Sequence, residues 1–355
     1  MRILGFVQVM ILLSSNLWAN FDSSFSMNKH SKLPKFCSPR IIGMSPNKVI
    51  SLGWDHEFKQ KLESSPLGSF NKKENTTYTE SATFKRVNGL RFTAKAPLIN
   101  KPKLIWQLGL NYWRSDYVMK TYDYDTNSHR FGDHLTVNGL RSSGINTSIY
   151  KPLNEKHFII AQIGADLNGM YSSKNRQPLS TLKYSMLAMY GQKPSDRKQW
   201  AVGVVRAYGA GEASIMPLFM FNYTDPSKKW GAEIMLPARA FYRRVLTKNS
   251  LLRAGLELEG GSYRITALNP LFCGGYLELR RGELRTKVEY QRKLYKSFWL
   301  AAQTGYVYSV NYKVDSIGTG EKENTRGFFG KQPYAMLNNL SNFMFLNFSI
   351  NYVSL

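Results

Sequence analysis

The chain is poor in the residues that most simply announce a chemistry. It has two cysteines, Cys37 and Cys273, far apart in sequence, which excludes a disulfide-rich scaffold. Neither has metal-ligand or redox spacing, and in an oxidising compartment they stand either as one long-range pair or as two unrelated thiols. Histidines number five: His30, His56, His129, His134 and His157. Only His129 and His134 fall close to carboxylates, namely Asp123, Asp125 and Asp133, in a segment that reads as a polar outer loop. No nucleophile motif accompanies them, so no catalytic residue, no metal and no cofactor is expected. Past the first residues, long apolar runs are also missing. The longest is 215–221, broken by Pro217, against the roughly 20 residues a membrane helix needs. Acidic residues are scarce as well, 24 against 48 Lys and Arg, for a formal charge of +24. Such a surplus calls for an anionic partner.

The amino terminus argues that this partner is not nucleic acid. Met1-Arg2 precede an apolar stretch, 3–13, whose one polar residue is Gln8, and small residues follow up to Ala19. A basic start, a short apolar core and a small residue at the end describe a secretory signal peptide over 1–19. Lipopolysaccharide phosphates, anionic lipid or an anionic solute then suit an exported basic protein better than DNA or RNA. Residues 20–47 are polar and irregular and read as an N-terminal periplasmic extension, with the main domain over 48–355.

What the chain does have is alternation. Leu252, Ala254, Leu256 and Leu258 share one parity, and Arg253, Gly255, Glu257 and Glu259 the other. Leu284, Thr286, Val288 and Tyr290 likewise alternate with Arg285, Lys287 and Glu289. Period two means strand. A greasy face opposite a charged face fits a transmembrane β-barrel with lipid outside and a polar lumen. It fits a half-buried sheet in water equally well. Aromatic content, with 21 Tyr, 20 Phe and 7 Trp, favours the barrel, because such barrels carry aromatic girdles.

Orientation comes from five short polar turns that are each followed by a large ring. They precede Trp106, Phe158, Trp200, Trp230, and Phe298 with Trp299, the candidates for one aromatic belt. Between them lie connections of very unequal length, such as 114–133, 168–180 and 314–341. Short turns on one side and long loops on the other describe a bacterial barrel, short toward the periplasm. The expected architecture is all-β, a transmembrane antiparallel up-and-down barrel of about 14 strands, with 12 as the alternative and a soluble secreted β-sandwich or periplasmic barrel as the other fold.

Fourteen requires 275–291 to be one strand even though its apolar parity flips. Leu277 and Leu279 face one way, Leu284 and Val288 the other, and a bulge at Arg281-Gly282 would reconcile them. The final strand alternates Met344, Leu346, Phe348, Ile350 and Tyr352, like the closing strand by which the barrel assembly machinery recognises its clients, although Leu355 stands where an aromatic residue is usual.

Several stretches go further and resemble a known family. Residues 216–223, Asp225-Pro226, Lys229-Trp230, 236–239, Phe241-Tyr242-Arg243, 255–264 and Glu278-Leu279-Arg280 are similar to a family of bacterial outer-membrane β-barrels classed as a domain of unknown function. The resemblance is best over 215–308. It implies a barrel in the outer membrane and carries over no chemistry.

The charged lumen candidates are Arg253, Glu257, Glu259, Glu278, Arg280, Arg285, Lys287 and Glu289. Their mixture of signs suits a polar channel or solute-binding ring, or a salt-bridged filling that closes a narrow barrel. The functional expectation is a passive channel or solute-binding pore in the bacterial outer membrane. A closed barrel whose outer loops bind lipopolysaccharide or a partner protein is the second reading, and a lipid-modifying barrel enzyme the weakest.

Overall fold

The computed structural model describes residues 36–65, 80–120, 131–171, 177–209, 211–265, 275–318 and 334–354. His30, His129, Asp123, Asp125, Cys273 and the predicted signal peptide lie outside the described residues. Strands β1 Asn47–Glu57, β2 Gln60–Ser64, β3 Glu80–Lys101 and β4 Leu104–Met119 lead to a short helix, α1 Phe131–Asn138. There follow β5 Leu140–Pro152, β6 His157–Gly169, β7 Lys183–Ser195, β8 Lys198–Ala207, β9 Ser214–Thr224 and β10 Trp230–Leu236. The chain continues through β11 Arg239–Thr247, β12 Ser250–Ile265, β13 Gly275–Tyr295, β14 Phe298–Gly318, β15 Asn338–Leu340 and β16 Phe343–Ser354.

Each strand from β3 to β14 pairs antiparallel with its sequence neighbour, and β1 closes the ring by pairing with both β16 and β3. Trp54 sits at the seam, opposite Phe348 on one side and Leu90 on the other. The result is a closed antiparallel barrel of 14 strands. The two remaining pieces, β2 and β15, pair with each other and extend the first and last strands past short interruptions at 58–59 and 341–342. Among the described residues no helix is long and apolar enough to cross a membrane.

The outward parity is greasy in a way no water-soluble sheet would tolerate. Ile50, Leu52, Trp54, Ile145, Ile163, Val204, Phe348 and Ile350 are all exposed, and Ile163 and Val204 are more than half so. These faces form the lipid-facing surface of a transmembrane barrel. The predicted strands recur within a few residues, with one difference. Directly after the connection expected over 114–133, where the next strand should begin, 134–138 is helical instead. Phe131 and Leu135, four apart, are fully buried on one side of α1, and Gly139 at φ +63° ends it by donating its N–H to the Leu135 carbonyl at 2.9 Å. Burial at helical spacing overrides the weak strand preference of Thr136 and Val137.

The predicted bulge is displaced onto a neighbour. β13 pairs with β12 without interruption from Arg292 to Leu277, so its own parity never flips. The register break lies against β14, where Gly282 faces Asn311 and Glu283 faces Ser309, leaving Val310 as the extra residue. Leu277 and Leu279 therefore share the inner face with Arg281, Glu283 and Arg285, while Glu278 and Arg280 lie on the other face.

At this level β12, β13 and β14 leave the ring and fold across the opening opposite the short turns, called outer for that reason. Arg264 of β12 bridges in parallel to Gly169 of β6, on the far side of the barrel, and its carbonyl accepts the Met170 N–H at 3.0 Å. The β8–β9 connection packs beneath the bend. A Cβ on Gly260 would overlap the Gly209 carbonyl, and one on Gly211, at φ +85°, would come within 2.7 Å of the Arg281 backbone nitrogen. Only glycine permits backbones to approach this closely.

Candidate functional site: a charged belt in a barrel closed at both ends

Three layers fill the interior. The outer layer is apolar, where Leu277, Leu279, Tyr263 and Val314 from the folded-in strands pack against Phe84, Tyr117 and α1. Phe131 and Tyr312 are in ring contact at 6.3 Å, and the Tyr117 and Tyr312 hydroxyls lie 3.3 Å apart.

Beneath it lies a belt of ion pairs on the wall made by β12, β13, β14, β16, β1 and β3. Arg285 is its hub. Its Nη2 donates to Glu57 Oε1 at 2.8 Å and to Glu283 Oε2 at 2.9 Å, and its Nε stands 3.3 Å from Glu259 Oε2. Arg281 donates from Nε to Glu283 Oε1 at 2.6 Å while its guanidinium lies over the Trp113 ring at 4.7 Å. Arg91 forks onto both oxygens of Glu259, at 3.0 and 2.9 Å, and also binds Asp55. Lower on the same wall Lys287 pairs with Glu257, and Glu289 accepts from Lys48 at 3.0 Å and Arg253 at 2.8 Å. Carboxylates match cations one for one among these side chains. Removing one partner of its most buried pairs, Arg285 with Glu57 and Glu283, leaves an uncompensated charge, which costs about 3–5 kcal/mol. Against the belt lies a cavity of about 200 Å³ bounded by Lys48, Asp55, Arg91, Glu257, Glu259 and Arg285.

The opposite wall, β6 to β9, carries an apolar patch at mid-height. Phe158, Met189, Ala201, Leu218 and Met220 are buried there with Cys37 and Tyr150. Residues 36–46 form the third layer by running through the turn-side mouth. Lys193 holds this segment by donating to Ser38 Oγ at 2.5 Å and the Arg40 carbonyl at 2.9 Å. Ile42 N–H donates to the Asp196 carbonyl at 2.7 Å, and Glu233 accepts from both the backbone N–H and the hydroxyl of Ser45 at 2.8 Å. The stretch expected to be a periplasmic extension thus runs, over its described part, inside the turn-side mouth. Cys37 is buried there, its Sγ 3.3 Å from the Tyr150 hydroxyl.

Of the lumen candidates, Arg253, Glu257, Glu259, Arg285, Lys287 and Glu289 meet in the belt. Glu278 and Arg280 do not, because the unflipped parity of β13 turns them to its other face. There Glu278 binds Lys183 of β7 at 2.5 Å and Ser262 at 2.5 Å, and Arg280 reaches Asp315 at 3.3 Å. This cluster fastens the folded-in strands to the far wall. Of the ring candidates, Trp106, Trp230 and Phe298 are exposed on the outer surface and Trp200 is half-buried. Phe158 is fully buried in the lumen, packed on Tyr150 at 5.2 Å, and Trp299 shares the inner parity with buried Ala301. A ring one position off in a strand faces the opposite way. Sequence reasoning left out Lys48, Asp55, Glu57, Arg91, Arg281 and Glu283. The alternation of Asp55 and Glu57 with Ile50, Leu52 and Trp54 was the available signal for those two.

A family described as a domain of unknown function (DUF6268) matches residues 105–353. The chain belongs to this family. The DUF6268 match spans β4 through β16 and so includes most of the belt, the folded-in strands and the wall they fasten to. No curated protein matches the chain in sequence. Among solved structures, an outer membrane channel from Pseudomonas putida F1 is 14% identical, covering 88% of this chain and 97% of that one at a TM-score of 0.36. A Pseudomonas aeruginosa FadL homologue is 11% identical, with 86% and 90% covered at 0.37. The Pseudomonas putida toluene transporter TodX is 8% identical, with 87% and 90% covered at 0.29.

Proposed function

We propose that this DUF6268 barrel sits in the bacterial outer membrane with its short turns toward the periplasm, and that it binds and passes a small polar solute through its lumen in a gated manner. The observation that carries this reading is the cavity of about 200 Å³ set against the charged belt. Cations and carboxylates side by side on a low-dielectric wall create a field across the lumen that favours solutes carrying both signs or strong dipoles. The conformation described is the closed one, with the plug of residues 36–46 at the turn end and the folded-in strands at the other. A second reading, a sealed barrel that presents its outer loops to lipopolysaccharide or a protein, is favoured by the apolar outer layer, which has the character of a fixed core. Planar-bilayer recording separates the two. Stepwise conductance from the full-length protein supports the gated pore; its absence across a range of voltages leaves the sealed barrel.

A further inference from the structure

Within the belt carboxylates match cations, so the charge surplus of this chain is not found there. At the end opposite the short turns some described cations are paired, as in Lys61–Glu63 at 2.7 Å, Arg114–Asp116 at 2.8 Å and Lys183–Glu278 at 2.5 Å. Among the described residues a dense, mostly cationic set collects at the rim of short turns. Lys103, Lys156, Lys228, Lys248 and Lys296 are exposed in five of the six turns, and Arg197 occupies the sixth. Glu155, Asp196 and Asp225 are the carboxylates in those turns. Strand parity then aims a further set outward. Lys151, Lys198, Arg244 and Arg292 are exposed two positions beyond Ile149, Trp200, Tyr242 and Tyr290 on the lipid-facing parity of β5, β8, β11 and β13. None of the four makes an ion pair with a described residue. Apolar residue, then cation, stepping off the greasy band toward the rim is the pattern of side chains that snorkel to lipid headgroups.

We infer that this rim is a binding surface for anionic phospholipid headgroups of the adjoining leaflet, which the orientation proposed above makes the periplasmic one. The four outward cations engage the phosphates, and the turn lysines add a diffuse positive potential beneath them. Each basic side chain near an anionic lipid surface favours anionic over zwitterionic lipid by about fivefold.

The test uses full-length protein in vesicles of equal phosphatidylglycerol and phosphatidylcholine, extracted in mild detergent, with the retained lipid counted by mass spectrometry. The expected result is about fivefold retention of phosphatidylglycerol over phosphatidylcholine by the natural protein. Lys151→Gln, Lys198→Gln, Arg244→Gln and Arg292→Gln together should bring the ratio to about one, with the heat-modifiable gel shift unchanged to show an intact barrel. A ratio near one for the natural protein, or a raised ratio that survives the four changes, overturns the inference. So does loss of binding to purified cell-wall sacculi with lipid retention unaltered, which would assign the rim to the anionic wall polymer. A Lys248→Cys reporter labelled on intact cells by an impermeant maleimide would overturn the leaflet assignment and the proposed orientation; the vesicle result reports the headgroup chemistry independently, so the two failures are distinguishable.

Discussion

The barrel's two ends are closed by different physics. At the outer end three strands fold across the opening and bury an apolar layer that joins β2, β3, β4, α1 and β15. Such a layer is inseparable from the stability of the barrel, since each large side chain in it contributes on the order of 2–3 kcal/mol by burial. At the turn end an eleven-residue stretch, 36–46, buries Cys37 and Ile41 and is tied by hydrogen bonds to Tyr150, Asn154, Lys193, Asp196 and Glu233. Hydrogen bonds are individually modest in net terms. In the gating proposed above, the outer closure acts as core and the turn-side segment is the part that moves.

The belt between them is where a single change should be felt most. Arg285→Ala strands Glu57, Glu259 and Glu283 together without their shared cation. A loss of about 3–5 kcal/mol is expected in urea unfolding from lipid vesicles; a loss under ~1 kcal/mol would mean that the belt is wet and screened. Leu135→Ala empties part of the outer layer. About 2–5 kcal/mol should go with it, and a smaller loss would show that α1 is loosely attached and that the outer closure is no core. Lys193→Met removes the cation that gathers Ser38 and Arg40. Its cost should be the least, about 1.5–3 kcal/mol, while open time in bilayers rises. If stability falls as far as in Leu135→Ala, the two ends are alike and the distinction collapses.

Most of the barrel was legible because period-two alternation is strong wherever one face meets lipid and the other a polar lumen. The 14 strands and their up-and-down order follow from it. Sites that depend on two strands at once were not legible. The parity of β13 looked broken because Leu277 and Leu279 are apolar, yet they are apolar inside the outer layer, and the extra residue is Val310 of the neighbouring strand. Helix α1 was hidden because His134-Leu135-Thr136-Val137 also alternates, and only burial of Phe131 with Leu135 distinguishes the two. Arg91 reaches Glu259 across the lumen, a contact no linear pattern contains.

The central claim is that release of residues 36–46 opens the lumen. It is tested most directly by tying that segment to the wall beside it. With Cys37→Ser and Cys273→Ser as background, Ile42→Cys and Asp196→Cys would place a disulfide where the Ile42 N–H now meets the Asp196 carbonyl at 2.7 Å. Single-channel recording under oxidising and then reducing conditions reads the result. The account predicts silence while the bond is formed and stepwise openings once it is reduced. Openings of equal size and frequency in both states would contradict it.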